Sequence, residues 1–368
     1  MDLQRPVSEI YADMTCVPIY EIPSKFTPDR YQQMRRTNIY EYPNSFIFDS
    51  EKEVQHNEEI YKLFDDTSKL SNLVKLILKN CNIDYLPCVE LINLKFLNVD
   101  GNNITTFDKF KIPNATVLIC SNNRLRSTHG LTSSNLIQLD IRNNQIGKFV
   151  GDFRSLQQLD CSYNSLRNMD SFVVTNMKSL KYLNCSYNEM IPYVNMYAIQ
   201  GLIKLNISNC DIVDFTNFYM EHLTWLDISG NDLFSLSKIN AVNLQYLDYS
   251  FNRSPNITAN HYHSLKEIDI SGNHITSLSF SMNIEKITAR NNKIRVIDNS
   301  LNTSHLTSLI CDQNPLTDIA CDLSELLHLS IINCRVSSLN RALFEKLAYA
   351  NLSGNLFTTL DTFYAKNI

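Results

Sequence analysis

The feature that most constrains this chain is a self-similarity. Between Leu73 and Leu360 the pattern L-x-x-L-x-L-x-x-N/C-x-L recurs fourteen times. Copies begin at Leu73, Leu94, Ala115, Leu136, Leu156, Leu180, Leu202, Leu223, Leu244, Leu265, Ile284, Leu306, Leu326 and Leu347, numbered here as repeats 1 to 14, with a usual spacing of about 21 residues. A unit this short cannot bury an apolar face by itself, so it must stack on its neighbours. The length of 368 residues therefore does not imply two or three separate domains.

The ninth position of each copy is the most diagnostic. It holds Asn102, Asn123, Asn144, Asn164, Asn188, Asn231, Asn252, Asn273, Asn292, Asn314 and Asn355, with Cys81, Cys210 and Cys334 in the other three. An inward side chain just after a strand has to satisfy backbone groups that the turn leaves unpaired. Asparagine offers both a donor and an acceptor, and cysteine fits the same small slot. On these residues the sequence resembles the leucine-rich-repeat superfamily over about four-fifths of its length. The resemblance implies an α/β solenoid, a leucine-rich-repeat horseshoe with one parallel concave β-sheet and a mostly extended or 3₁₀ convex side. Fourteen strands about 4.8 Å apart would make an inner wall of roughly 65 Å. About ten residues return from each Asn to the next strand, too few for a long helix. Phe107, Phe149, Phe215, Leu236, Leu278, Ile297, Ile319, Leu339 and Leu360 are expected to close the core from the convex side, with one helical turn in the longer repeat 5, at Phe172–Met177.

Three segments follow: residues 1–72 as an N-terminal extension and helical cap, 73–360 as the solenoid, and 361–368 as a short C-terminal tail. Val54, Ile60, Leu63, Phe64 and Leu70 are spaced on one helical face and suit a cap. Upstream, Tyr11, Tyr20, Tyr31, Tyr40 and Tyr42 among prolines suggest irregular or extended chain packed on the first turns. The tail is short for a cap, which leaves three readings: Phe363 and Tyr364 fold over the last turn, the open edge pairs with another copy, or the chain has been cut.

Ten cysteines would suggest disulfides in a secreted protein, but their register argues otherwise. Cys120, Cys161, Cys185 and Cys311 replace an inward strand residue, and three more replace the Asn, so seven face the core as small hydrophobes. Eight N-x-S/T matches are close to the number chance supplies, and Asn184, Asn206 and Asn351 fall where the repeat itself dictates Asn followed by Ser. The N-terminus has no apolar segment of the signal-peptide kind. The sequence is accordingly read as cytoplasmic, with a secreted protein as the alternative if a leader was removed before this numbering.

Nothing in the sequence asks for chemistry. Its Gly residues form no phosphate-binding pattern, no zinc or nucleophile motif occurs, and no paired Cys/His spacing would hold a metal. His261 and His263 flank Tyr262 as an exposed polar pair, and Asp140, Asp160, Asp227, Asp248 and Asp269 read as family-typical strand filler in L-D-x-S. The expectation is no enzyme, no cofactor and no metal. A net charge of −5 disfavours nucleic acid, and no apolar run is long enough to insert in a membrane.

Residues flanking the inward leucines stack from repeat to repeat into columns on the concave side. The centre of one column holds Tyr182, Trp225 and Tyr246, with Tyr163, Tyr187 and Phe251 near the strand ends beside them. Clustered exposed aromatics mark binding surfaces. Next to them Asp227 and Asp248, with Asp269, form an acidic strip, which suggests a partner presenting basic and apolar groups. These residues are the candidate partner-binding site of a non-catalytic protein-interaction scaffold. Two alternatives stand beside it: a secreted or surface recognition protein of the innate-immunity or host–pathogen type, and a homo-oligomeric structural subunit joined through its C-terminal end.

Overall fold

A computed structural model describes residues 40–42, 45–49, 61, 64–65, 70–131, 133–170, 177–190, 193–257, 262–280 and 283–359. The helical turn expected at Phe172–Met177 lies, except for Met177, outside the described residues, as do the tail 361–368 and Leu360.

Each repeat contributes one short strand: Lys75–Lys79, Phe96–Asn98, Val117–Ile119, Gln138–Asp140, Gln158–Asp160, Tyr182–Asn184, Lys204–Asn206, Trp225–Asp227, Tyr246–Asp248, Glu267–Asp269, Lys286–Thr288, Ser308–Ile310, His328–Ser330 and Tyr349–Asn351. They pair in parallel, in sequence order. Register is exact from rung to rung, so that Leu226 lies beside Leu205 on one side and Leu247 on the other. Ahead of repeat 1, strand Ser45–Asp49 pairs in parallel with Lys75–Lys79 and antiparallel with Tyr40–Tyr42, which brings the sheet to sixteen strands among the described residues. Tyr61, Phe64, Asp65 and Leu70 are helical, and Phe64 sits edge-on to Phe110 at 6.1 Å between ring centroids.

Among the described residues the convex side carries three two-stranded parallel ribbons (Val89–Glu90 with Phe110–Lys111, Tyr193–Asn195 with Asp214–Thr216, Val296–Asp298 with Asp318–Ala320) and a 3₁₀ turn at Tyr197–Ile199. Phe107, Phe149, Phe215, Leu236, Leu278, Ile297, Ile319 and Leu339 are buried there, and one continuous core runs between the two sides. Tyr249 takes the inward place in repeat 9 that a smaller residue fills elsewhere, and its hydroxyl donates to the Leu233 carbonyl at 3.0 Å. Five residues on in the same repeat, Ser254 stands where the pattern calls for Leu, and this small residue is fully buried. In repeat 14, Ala350, Leu352 and Phe357 are only partly buried, because no further repeat covers them among the described residues.

The inward asparagines tie successive repeats together. Asn231 Nδ2 donates to the Ile207 and Ile228 carbonyls at 3.0 Å each, while its Oδ1 accepts the Cys210 and Ile212 amides, also at 3.0 Å. Asn102 does the same with Leu78, Val99, Cys81 and Ile83. Where Cys210 replaces Asn, its thiol donates to the Cys185 carbonyl at 3.3 Å. It gives the preceding repeat no amide oxygen, and the Met190 amide turns instead to the Asn188 carbonyl at 3.0 Å. All seven cysteines assigned to the core by register are buried, as is Cys321, and Cys88 is exposed.

One backbone conformation recurs at the residue before each inward Asn or Cys. In all fourteen repeats it is left-handed, with φ between 51° and 69°. The turn that swings the ninth side chain inward requires it, and eleven repeats fill the position with Asn, Gly or Gln. Gly and Asn adopt this region at low cost. The other three repeats carry Tyr163, Tyr187 and Phe251.

Candidate functional site

The sheet places the predicted aromatic residues on two lines running along the concave side. On the first, Tyr182, Lys204, Trp225 and Tyr246 are neighbours on successive strands, each half-buried. The indole of Trp225 and the ring of Tyr246 stack with centroids 5.4 Å apart and 3° between planes. Tyr182 is separated from this pair by Lys204, so the three rings do not form a continuous aromatic strip along the column. Not every outward position is open: Phe96 and Val117, on the same column near the N-terminal end, are buried, and Lys75 Nζ lies 5.3 Å from the Phe96 ring centre.

The second line is formed by the left-handed positions. Tyr163 and Tyr187 stack with centroids 4.2 Å apart and 8° between planes, and burial of its hydroxyl region pushes Tyr163 up to about 12. Phe251 lies over Gly272, where an added Cβ would sit 2.6 Å from the ring. The three are 51%, 46% and 65% exposed, respectively. A bulky residue at positive φ is unfavourable by roughly 1–2 kcal/mol, and rings this exposed recover little of that through burial. The composition of this column, Asn or Gly nearly everywhere else, was the signal in the sequence that could have singled them out.

Between the two lines lies the acidic strip, and here the carboxylates have a structural task. Asp227 Oδ1 accepts the Ser229 amide at 3.0 Å and its hydroxyl at 2.6 Å. Asp248 accepts the same two groups of Ser250 at 2.9 and 2.6 Å, and Asp269 the Ser271 amide at 2.8 Å. Asn184 and Asn206 cap Ser186 and Ser208 identically, so the cap needs an oxygen acceptor and not a charge. Burial, and then the neighbouring Asp227, push Asp248 up to about 7, and burial also raises Asp227. In repeat 4, Asp140 is raised to about 7 by burial although Arg142 lies 3.4 Å away, and burial raises Asp160 beside it.

Cations partner most of the other concave carboxylates. Lys79 meets Asp100 at 3.7 Å, Arg290 meets Asp312 at 3.2 Å, and Lys286 meets Glu267 at 2.6 Å. Asp227, Asp248 and Asp269 are adjacent on three strands and, among the described residues, form no ion pair. No group of His, Cys, Asp and Glu among the described residues is arranged to hold a metal ion. Of the histidine pair, His263 is exposed and His261 lies outside the described residues. Tyr262 between them is buried and donates its hydroxyl to the Ile239 carbonyl at 2.9 Å. No helix among the described residues is long and apolar enough to cross a membrane.

The parallel sheet, inward Asn ladder and extended convex side define a leucine-rich-repeat solenoid, and the comparisons with known proteins agree. A leucine-rich-repeat protein of Leptospira interrogans superposes with a TM-score of 0.67 at 19% identity, over 83% of each chain. The APL1 leucine-rich-repeat domain superposes at 0.66 and 20% identity, over 79% of this chain and 82% of that one. A chain of the Drosophila Toll–Spatzle complex superposes at 0.60 and 20% identity, over 78% of this chain and 45% of that one. In sequence, 102 residues are 29% identical to Toll-like receptor 4 of Bos taurus, a stretch that covers 25% of this chain and 12% of the receptor. No family model matches the chain.

Proposed function

We propose that this chain is a non-catalytic protein-recognition module that holds a protein partner on the concave face of repeats 5 to 9. The observation that carries the reading is the concentration there of half-buried or exposed rings: the Trp225–Tyr246 stack on one line, and Tyr163, Tyr187 and Phe251 on the other. Aromatic residues that keep open surface in one place are what protein interfaces use as anchors. The three left-handed aromatics strengthen it, since unfavourable backbone conformations concentrate where a function requires them. Leucine-rich-repeat folds serve as interaction modules, and two of the similar structures are complexes, LRIM1/APL1C and Toll–Spatzle. A core lined with free thiols suits a cytoplasmic setting.

The test is affinity capture from the native source with wild type and the Trp225→Ala/Tyr246→Ala double variant side by side. A specific partner held by the first and lost by the second is expected. An unchanged set of partners would remove this face from consideration.

The similarity to part of Toll-like receptor 4 favours a second reading, an extracellular recognition protein of the innate-immunity or host–pathogen type. Expression in a secretory host separates the two: glycan at exposed sequons such as Asn256 would support it, and unmodified protein would speak for the cytoplasmic one.

A further inference from the structure

We propose that the centre of the concave face is a seat for an arginine side chain of the partner, whose guanidinium stacks on Trp225–Tyr246 and pairs with Asp227 and Asp248. This rests on the concave-face reading above and names the chemistry of what binds there.

Two independent features of the same two strands converge on a planar cation. The first is the parallel Trp225–Tyr246 pair, two residues along the strand from Asp227 and Asp248 and on the same side of the sheet. Arg is the cation that combines stacking on an aromatic face with forked hydrogen bonding to carboxylate. The second is the missing counter-charge. Elsewhere on this face Lys79, Arg142, Lys286 and Arg290 each accompany a carboxylate, whereas Asp227, Asp248 and Asp269 stand together with no ion pair among the described residues. Each uses Oδ1 for its serine cap and, among the described residues, accepts no hydrogen bond at Oδ2. The charged groups facing the strip are Lys204 from repeat 7, which is not within ion-pair distance of Asp227, and the Glu267–Lys286 pair, which is already mutually satisfied.

The seat is proton-linked by its own construction. With no cation present, burial and mutual repulsion keep a proton on this strip up to near neutral pH, and Asp248 stands at about 7. A guanidinium must displace that proton, so affinity for it rises as pH rises through this range and falls as pH drops.

Trp225 is the only tryptophan and reports on the seat directly. The experiment titrates the full chain with an acetylated, amidated hexapeptide of alternating Leu and Arg, and with its Leu/Glu counterpart, following Trp225 fluorescence at pH 8 and pH 5.5. Expected are saturable binding of the Arg peptide at pH 8, a loss of about tenfold at pH 5.5 and about tenfold for Asp248→Asn, and no binding of the Glu peptide. Asn caps the same turn at positions 184 and 206, so Asp248→Asn keeps the fold while removing the charge. No saturable signal with the Arg peptide, equal binding of both peptides, or full affinity in Asp248→Asn would overturn the proposal. A captured partner lost by Trp225→Ala/Tyr246→Ala but held by Asp248→Asn would overturn the arginine seat and leave the concave-face reading intact.

Discussion

The indole of Trp225 and the phenol of Tyr246 lie parallel on adjacent strands, each shielding one face of the other from water. Removing the second ring therefore uncovers the first. Tyr246→Ala is expected to shift Trp225 emission to longer wavelength while the far-ultraviolet circular dichroism stays that of the wild type. An unshifted spectrum would mean that the rings do not stack in solution.

Asn231 satisfies two amides and one carbonyl of the preceding repeat and one carbonyl of its own from one buried side chain. Asn231→Ala leaves these four groups without partners and is expected to cost roughly 2–4 kcal/mol in urea unfolding. Asn231→Cys should cost less, because Cys210 already occupies the equivalent place in repeat 7 and still donates to a carbonyl.

The pH dependence of stability follows from Asp248. Its folded value of about 7 lies above the unfolded value near 3.9, so the folded state binds the proton more tightly between the two. The contribution is neutral below about pH 4, turns against folding as pH rises from about 4 to about 7, and is constant above that. Asp248→Asn should accordingly stabilise the protein by roughly 1–3 kcal/mol at pH 8 and by almost nothing at pH 4. Thermal melts of both proteins at the two pH values measure the difference, and an equal effect at both would contradict the account.

Phe251 holds a left-handed backbone that Asn or Gly fills in most repeats. Phe251→Asn is expected to leave stability unchanged or to raise it by up to about 1 kcal/mol, because the relief of backbone strain exceeds the small burial of an exposed ring. Partner affinity should fall in the same variant. A loss of stability above about 1 kcal/mol would show that the ring's packing over Gly272 is the reason for its presence.

How far the sequence could be read is clearest along single columns. The spacing of Leu223, Leu226 and Ile228 around Trp225 suffices to turn the three aliphatics inward and the tryptophan outward, since strand side chains alternate. The same alternation cannot distinguish Trp225 from Phe96, which occupies the identical column and is buried, because burial there depends on which side chains stand on the adjacent rungs. The aspartates show the same limit. L-D-x-S identifies them as strand filler, yet their shared burial and, among the described residues, the lack of an ion pair at Asp227 and Asp248 emerge only when strands are stacked.

By itself, then, the sequence determined the solenoid: fourteen short strands, an inward ladder of Asn and Cys, and the outward columns, all of which follow from a period that every repeat obeys. Tertiary structure alone decided which rings touch and which carboxylates lack counter-charges. Those properties belong to pairs of residues about 21 apart in the chain and one strand apart in space, so no local pattern encodes them.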